Sequence, residues 1–301
     1  SKYKDEIIKE YGQTFLDEIE INLKTFDPKI KDLLKQEIDL KNEYTKLTAG
    51  AKISYEGKEY NLAGLGPFHS DVNRNIRKKS YEARYGWFKD NENELDDIYD
   101  KLVKLRHKIA TTLGYDNFIE LGYYRMGRSD YGPEEVANFR RQIVDHVVPI
   151  VTKLHEQKKE ILGLDELYFY DGINFKDGDP KPKGTPDELV KSAQEMYHEL
   201  SPETGEFFDT MVNEELMDLV NRDGKRPGGF CTSFPKYDRP YIFSNFNGTD
   251  HDITVLTHEA GHAFQNYSST HLPLVNYHWP TMEAAEIHSM SMEFFTWPWM
   301  K

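Results

Sequence analysis

Apolar residues recur every three or four positions over most of this chain, and that period belongs to the α-helix. Two long charged stretches, 1–26 and 28–48, show it first, the second through Ile30, Leu33, Leu34, Ile38 and Leu40, and both are predicted helical. The pattern then turns to alternation. Lys52-Ile53-Ser54-Tyr55 and Lys58-Glu59-Tyr60-Asn61 flank Glu56-Gly57, which predicts a short hairpin about a glycine turn. Helical patterning resumes near Asp71 and runs to about Leu162, with breaks expected at Asp90, at Gly114 and across residues 127–133.

The Gly-, Pro-, Asp- and Lys-rich stretch from Asp171 to Pro186 is expected to be a surface loop, with the charges of Lys181 and Lys183 solvated. Thr185-Pro-Asp-Glu188 opens a helix with a capping box, in which the threonine oxygen caps and Glu188 reaches back. Ser201-Pro202 opens the next in the same manner. From Gly228 the texture becomes aromatic and β-prone, and two short strands are expected, Cys231–Phe234 and Tyr241–Phe246, the second ending at Asn247-Gly248. Thr249 to Asp252 should cap a helix reaching about Tyr267. Thr281 to Trp297 should form another, stopped by Pro298. There is no internal repeat and no evident linker.

Composition narrows the classes of function. Of the 301 residues, 38% are hydrophobic and 13% aromatic, enough for a substantial core and too aromatic for a disordered chain. The net charge of −14 argues against nucleic acid as a partner, since phosphate binding needs surplus Lys and Arg. No run approaches the roughly 18 apolar residues of a membrane helix, so no membrane association is expected. Cys231 is the one cysteine, which excludes an internal disulfide and a cysteine-based zinc cluster and fits a reducing, cytoplasmic setting. A chain opening on Ser1 is expected to have been processed or excised from something longer.

The chemistry concentrates in His258-Glu-Ala-Gly-His262. Residues four apart on a helix share a face, so His258 and His262 can point two imidazoles at one ion. Glu259 beside them can address a water there without being a ligand, which is the arrangement of a zinc peptidase with a glutamate general base. A surface helix with two histidines would not need the apolar lead-in of Ile253, Val255 and Leu256. Nor would it need a glycine at position 261, which suggests another helix or a substrate passing close by. A catalytic zinc takes a third protein ligand, and His271, His278, Glu283, Glu286, His288 and Glu293 are all candidates. The run from His262 to His271 lacks the glycine of the longer His-Glu-x-x-His-x-x-Gly-x-x-His signature, which favours a glutamate on a second helix. Spacing alone leaves that choice open. His251, His278 and His288 are expected in capping, loop and structural roles. Cys231 should be inert, and Phe294, Phe295, Trp297 and Trp299 should belong to the core.

Thr257-His-Glu-Ala-Gly-His-Ala-Phe264 and Glu283-Ala-Ala-Glu-Ile-His-Ser-Met-Ser-Met-Glu293 resemble the thimet oligopeptidase and oligoendopeptidase F family of zinc metallopeptidases, nearer its oligoendopeptidase F branch. Pro227 to Thr232, Tyr241 to Thr249 and Gly122 to Arg128 agree, and the likeness extends more thinly from about Ala51 to the end. The resemblance implies a mainly α, zincin-like oligopeptidase fold with a neurolysin-like helical body and a small β element beside the active-site helix. It implies one zinc ion per chain on His258, His262 and Glu286, with Glu259 as base and Glu293 beside the ligands. It implies short peptides as substrates, taken into a deep cleft lined by the strand that ends at Asn247 and Gly248, where an edge strand would pair with substrate backbone. Residues 1–69 are expected to be the remainder of an N-terminal lobe, and 70–301 the first part of a catalytic domain. Family members run well beyond Lys301, and that further part would supply a histidine and tyrosines for the oxyanion. The chain is therefore expected to be truncated, or completed by a second polypeptide. An incomplete segment that binds metal or peptide without turnover is the alternative.

Overall fold

The computed structural model describes residues 3–300. The first predicted helix is two, α1 (Lys4–Tyr11) and α2 (Gln13–Thr25), because Gly12 between them has φ 87° and ψ 163°. A 3-10 turn, Pro28–Ile30, is capped by Asp27 Oδ1, which accepts the Lys29 N–H at 2.9 Å, and it leads into α3 (Lys31–Ala49). The predicted hairpin is present as β1 (Ile53–Tyr55) and β2 (Lys58–Tyr60), paired antiparallel. Glu56 and Gly57 turn it at φ 48° and 73°, the left-handed pair that matches the twist of the flanking strands.

Helices α4 (Gly66–His69), α5 (Arg74–Asp90), α6 (Glu92–Leu113) and α7 (Phe118–Arg125) follow, with Gly114 ending α6 in the left-handed region as the sequence indicates. Then come α8 (Pro133–Gln142) and α9 (Val148–Leu162), joined by a π-helical turn at Ile143–Val147. α10 (Pro186–Leu200) begins with the expected capping box on Thr185 and Glu188, and α11 (Pro202–Asn213) with Ser201 capping Thr204. Strands β3 (Met217–Val220), β4 (Phe230–Phe234) and β5 (Arg239–Phe246) precede α12 (His251–Ser269) and α13 (Met282–Thr296). Pro298 falls in a 3-10 turn, Trp297–Trp299, just past α13.

The chain divides into two compact units. One gathers Ser1–Thr45 and Asn91–Gln157, and its core holds Ile30, Leu33, Leu105, Ile109 and Leu121. Glu37 is also inside, its carboxylate accepting from Arg106 at 2.8 Å and Arg125 at 2.9 Å. Burial pushes that carboxyl up, but the two guanidiniums outweigh it and leave its pKa lowered. The neighbouring Ile38, expected on the apolar face, is exposed instead.

The other unit gathers Lys46–Asp90 and Lys158–Lys301. The hairpin core of Ile53, Tyr55, Leu62 and Leu65 lies in it. So does the predicted surface loop, whose first residue is not solvated. Asp171 is buried, accepting from Arg74 Nη2 at 2.7 Å, Arg77 Nη2 at 3.0 Å and the Tyr168 N–H at 2.9 Å. Burial alone would raise its pKa, and these partners instead hold it at about 2.

The largest core of this unit joins Tyr197, Phe207, Phe208 and Met211 to Ile242, Leu256, Ala260, Ala263 and Met292. Each fully buried large apolar side chain contributes about 1.5–3 kcal/mol, so this cluster anchors α12 against α10, α11 and the sheet. The sheet has the order β3-β5-β4, with β3 parallel and β4 antiparallel to β5. β3 is a third strand where two are expected, and it places β5 in the middle.

Candidate metal and active site

The site forms where α12 and α13 touch. Ala285, Ser289, Met292 and Thr296 form the buried face of α13, and Gly261 on α12 meets that face. A Cβ on Gly261 would stand 2.6 Å from Ser289 Cα and 2.7 Å from the His288 carbonyl oxygen. The glycine is the close approach of a second helix that its place in the motif suggests. At this distance Glu286 and Glu293, one heptad apart on α13, come over the turn of α12 that carries the histidines.

The start of α12 differs from expectation. Asp250 makes no side-chain cap. Asp252, buried in the first turn, accepts the Asn247 N–H at 3.0 Å and the Gly248 N–H at 2.7 Å. Asn247 Nδ2 donates to the Ala63 carbonyl at 2.9 Å. These two residues therefore close the corner between β5 and α12. β5 is bonded to β3 on one side and, from Arg239 to Phe243, to β4 on the other, and Asn247 and Gly248 lie past both ladders. Among the described residues the outer edges belong to β3 and β4.

His258 Nε2 stands 3.1 Å from Glu286 Oε2, and His262 Nε2 stands 3.6 Å from the same oxygen. One ligand atom from each of these three side chains fits within a 4.8 Å span, and among the described residues this is the one such group of three or more. Donors about 2.0–2.2 Å from a tetrahedral ion lie about 3.4 Å apart. The observed separations bracket that value. Two imidazoles and a carboxylate are also a donor set that zinc accepts, so the residues present fit a zinc ion.

The surroundings orient this set. His258 Nδ1 lies 2.7 Å from Glu293 Oε1, leaving Nε2 turned toward Glu286. Ser289 Oγ donates to Glu286 Oε2 at 2.8 Å, and Trp279 lies 5.9 Å from the His262 ring. Sequence reasoning missed both, although Ser289 sits three residues after Glu286 on the same helix, a spacing that brings side chains together. Burial, with the charge of His258, lowers the His262 pKa.

Glu259 is buried, and its Oε2 has no hydrogen-bond partner. Burial pushes its pKa up to about 7; the charge of Glu286 adds to this, while His258 and the Cys231 N–H oppose it. The carboxylate lies against β4, 3.4 Å from where a Cβ on Gly229 would be.

The other candidates lie outside the group. His271 Nδ1 pairs with the Ser268 carbonyl, and His278 Nε2 with that of Leu272. Glu283 and His251 are exposed, and the buried His288 Nδ1 has no partner. Burial, then the charge of Glu259, raises the Cys231 thiol pKa. Phe294, Phe295, Trp297 and Trp299 are exposed and not core, because they lie off the face of α13 that packs on α12.

The model of peptidase family M3 matches residues 68–299. This chain belongs to peptidase family M3. Within the family it is 28% identical over 236 residues to an oligoendopeptidase F homolog of Borreliella burgdorferi, an alignment covering 75% of this chain and 38% of that protein. It is 26% identical over 258 residues to the chromosomal oligoendopeptidase F of Lactococcus lactis subsp. cremoris, covering 85% and 40%. A solved structure of PZ peptidase A with an inhibitor matches 99% of this chain at TM-score 0.97 and 52% identity, over 53% of its own length. The chain thus spans two-fifths or less of these curated relatives and about half of that structure. The fold is mainly α, as expected. Among the described residues no helix is long and apolar enough to cross a membrane.

Proposed function

We propose that this M3 chain carries the metal centre of a zinc endopeptidase that hydrolyses short peptides. One zinc ion per chain would be held by His258, His262 and Glu286, with Glu259 as general base. The observation that carries this reading is the convergence of three donor atoms beside a buried, partnerless carboxylate oxygen. A zinc ion held there supplies Lewis acidity. Glu259 Oε2 takes a proton from the attacking water as the new C–O bond forms, and returns it to the amine as the C–N bond breaks. Glu293 keeps His258 in the tautomer whose Nε2 faces the ion. Backbone recognition is assigned to Asn247 and Gly248 at the end of β5, on the sheet whose strand β4 follows Gly229 beside the base.

By sequence, residues 70–301 are assigned to the catalytic domain and 1–69 to the preceding lobe, a division that differs from the compact units, in which 46–69 group with 158–301 and 91–157 with 1–45. The setting is cytoplasmic, with neither nucleic acid nor membrane as partner. The coverage of the relatives supports a second reading, a segment that binds metal or peptide without turnover until completed. Zinc titration and cleavage of a quenched fluorescent peptide, with and without chelator, separate the two. About one zinc per chain is expected, lost in His258→Ala. In the completed protein, Glu259→Gln should keep the ion and lose about 10²–10⁴ in rate. Full turnover by Glu259→Gln removes the assigned base, and zinc without chelator-sensitive cleavage supports the second reading.

A further inference from the structure

Asn247 and Gly248 form the one Asn-Gly pair in the chain, a dipeptide in which the missing Cβ lets the glycine nitrogen approach the asparagine side chain. Every polar atom of that side chain is held. Its Oδ1 accepts the Thr249 N–H at 3.3 Å and the Thr249 hydroxyl at 2.8 Å, and its Nδ2 donates to the Ala63 carbonyl at 2.9 Å. Gly66 backs it, where a Cβ would stand 2.3 Å from Nδ2. The Gly248 N–H donates to Asp252 Oδ2 at 2.7 Å. Asp252 is buried, and burial raises its pKa against the pull of the N–H groups of Asn247 and Gly248. Gly248 has φ 87° and is exposed, so water reaches the corner from that side.

These are the parts of an acyl transfer. A carboxylate sits on the proton of the Gly248 nitrogen, and two donors sit on the carbonyl oxygen of the group that nitrogen would attack, where they stabilise a developing oxyanion. The nitrogen and Asn247 Cγ belong to adjacent residues, so no encounter has to be arranged. We propose that Asn247-Gly248 is a self-modification site, at which the corner promotes conversion of Asn247 to aspartate and isoaspartate through a succinimide. The Gly248 nitrogen bonds to Asn247 Cγ as its proton passes to Asp252. The Cγ–Nδ2 bond then breaks, and Nδ2 leaves as ammonia with the proton that Asp252 returns. Solvent water opens the ring at either carbonyl, adding its oxygen there and restoring the Gly248 N–H. Isoaspartate routes the main chain through Cβ and lengthens it directly before α12, so conversion displaces the start of the helix that carries His258 and His262. The step uses no metal, and stands whether or not zinc and Glu259 act as proposed.

Timed incubation of the full chain in neutral buffer, then digestion and mass spectrometry, reads Asn247 against its product acids. A synthetic peptide of residues 244–251 gives the rate without the fold and without Asp252. The folded chain should convert at least about tenfold faster than the peptide, since a positioned base is worth about 10²–10⁴ and the rigid corner returns part of it. Asp252→Asn and Thr249→Val should each bring the folded rate down toward that of the peptide. Conversion no faster in the fold than in the peptide overturns the proposal, because the hydrogen bonds would then be protecting Asn247. So does an unchanged rate in a folded Asp252→Asn protein. If circular dichroism shows that variant unfolded, Thr249→Val decides, and an unchanged rate there overturns the proposal equally.

Discussion

Gly261→Ala tests whether the contact between α12 and α13 sets the metal site. In an exposed helix this change stabilises by about 1 kcal/mol. Here the new methyl would lie 2.6 Å from Ser289 Cα, 2.7 Å from the His288 oxygen and 2.9 Å from Met292 Cβ. Carbon atoms rest at about 3.5–4.0 Å, so α13 must retreat by about 1 Å. Overpacking of this kind costs about 1–3 kcal/mol. Against the helix-propensity gain, the net expectation is destabilisation of about 1 kcal/mol. The effect on the site should be larger, because α13 carries Glu286 and Glu293 while the histidines stay on α12. A retreat of that size removes the carboxylate from the 3.1 Å and 3.6 Å separations now observed, and zinc affinity should fall at least about tenfold, or about 1.4 kcal/mol. Urea denaturation of the metal-free protein reads the first quantity, and competition with a chromogenic chelator the second. Met292→Ala should not rescue either, since two of the three contacts are backbone atoms. A Gly261→Ala protein of equal or greater stability with unchanged zinc affinity would refute the claim that this approach positions the ligands.

Glu293→Ala should lower zinc affinity about 10- to 100-fold without removing a ligand, because His258 Nδ1 loses its partner; unchanged affinity in the same competition assay would leave Glu293 no orienting role. The pKa of Asp171, about 2 when folded against 3.8 for a free carboxyl, predicts acid sensitivity. A depressed folded value stabilises fully above about pH 4 and is lost as pH falls toward 2, so the urea midpoint should drop across that window and the drop should shrink in Asp171→Asn. Cys231, half-buried and with its thiol pKa raised, should react with a thiol-specific disulfide at pH 8 more slowly than free cysteine; labelling of the folded protein as fast as free cysteine would contradict the raised pKa.

Local chemistry was the legible part. Thr185 with Glu188, Ser201 with Pro202 and the Glu56-Gly57 turn announce themselves because cap and turn preferences act within four residues. The histidines of α12 were readable for the same reason, as one helical turn separates them. The side chain that joins them was not, since Glu286 arrives from another helix and several acidic or imidazole side chains downstream had suitable spacing; only the family likeness singled it out. β3 escaped notice because four residues are too few to establish a period and its partners on β5 lie more than twenty residues on. Asp171 was misread because a buried carboxylate paired with distant arginines looks, in sequence, like any charge in a polar loop. The aromatics at and beyond the end of α13 were misread because apolar character alone does not say which face of a helix packs.

The single carboxylate of Asp252, closing the corner between β5 and α12, means that the imidazoles are aimed by the fold and not by their cargo. If His258 and His262 hold a cation as proposed, it would find donors already oriented, and little chain entropy would be surrendered on capture. Stripping the ion should accordingly leave the corner and the first turn of α12 as they are.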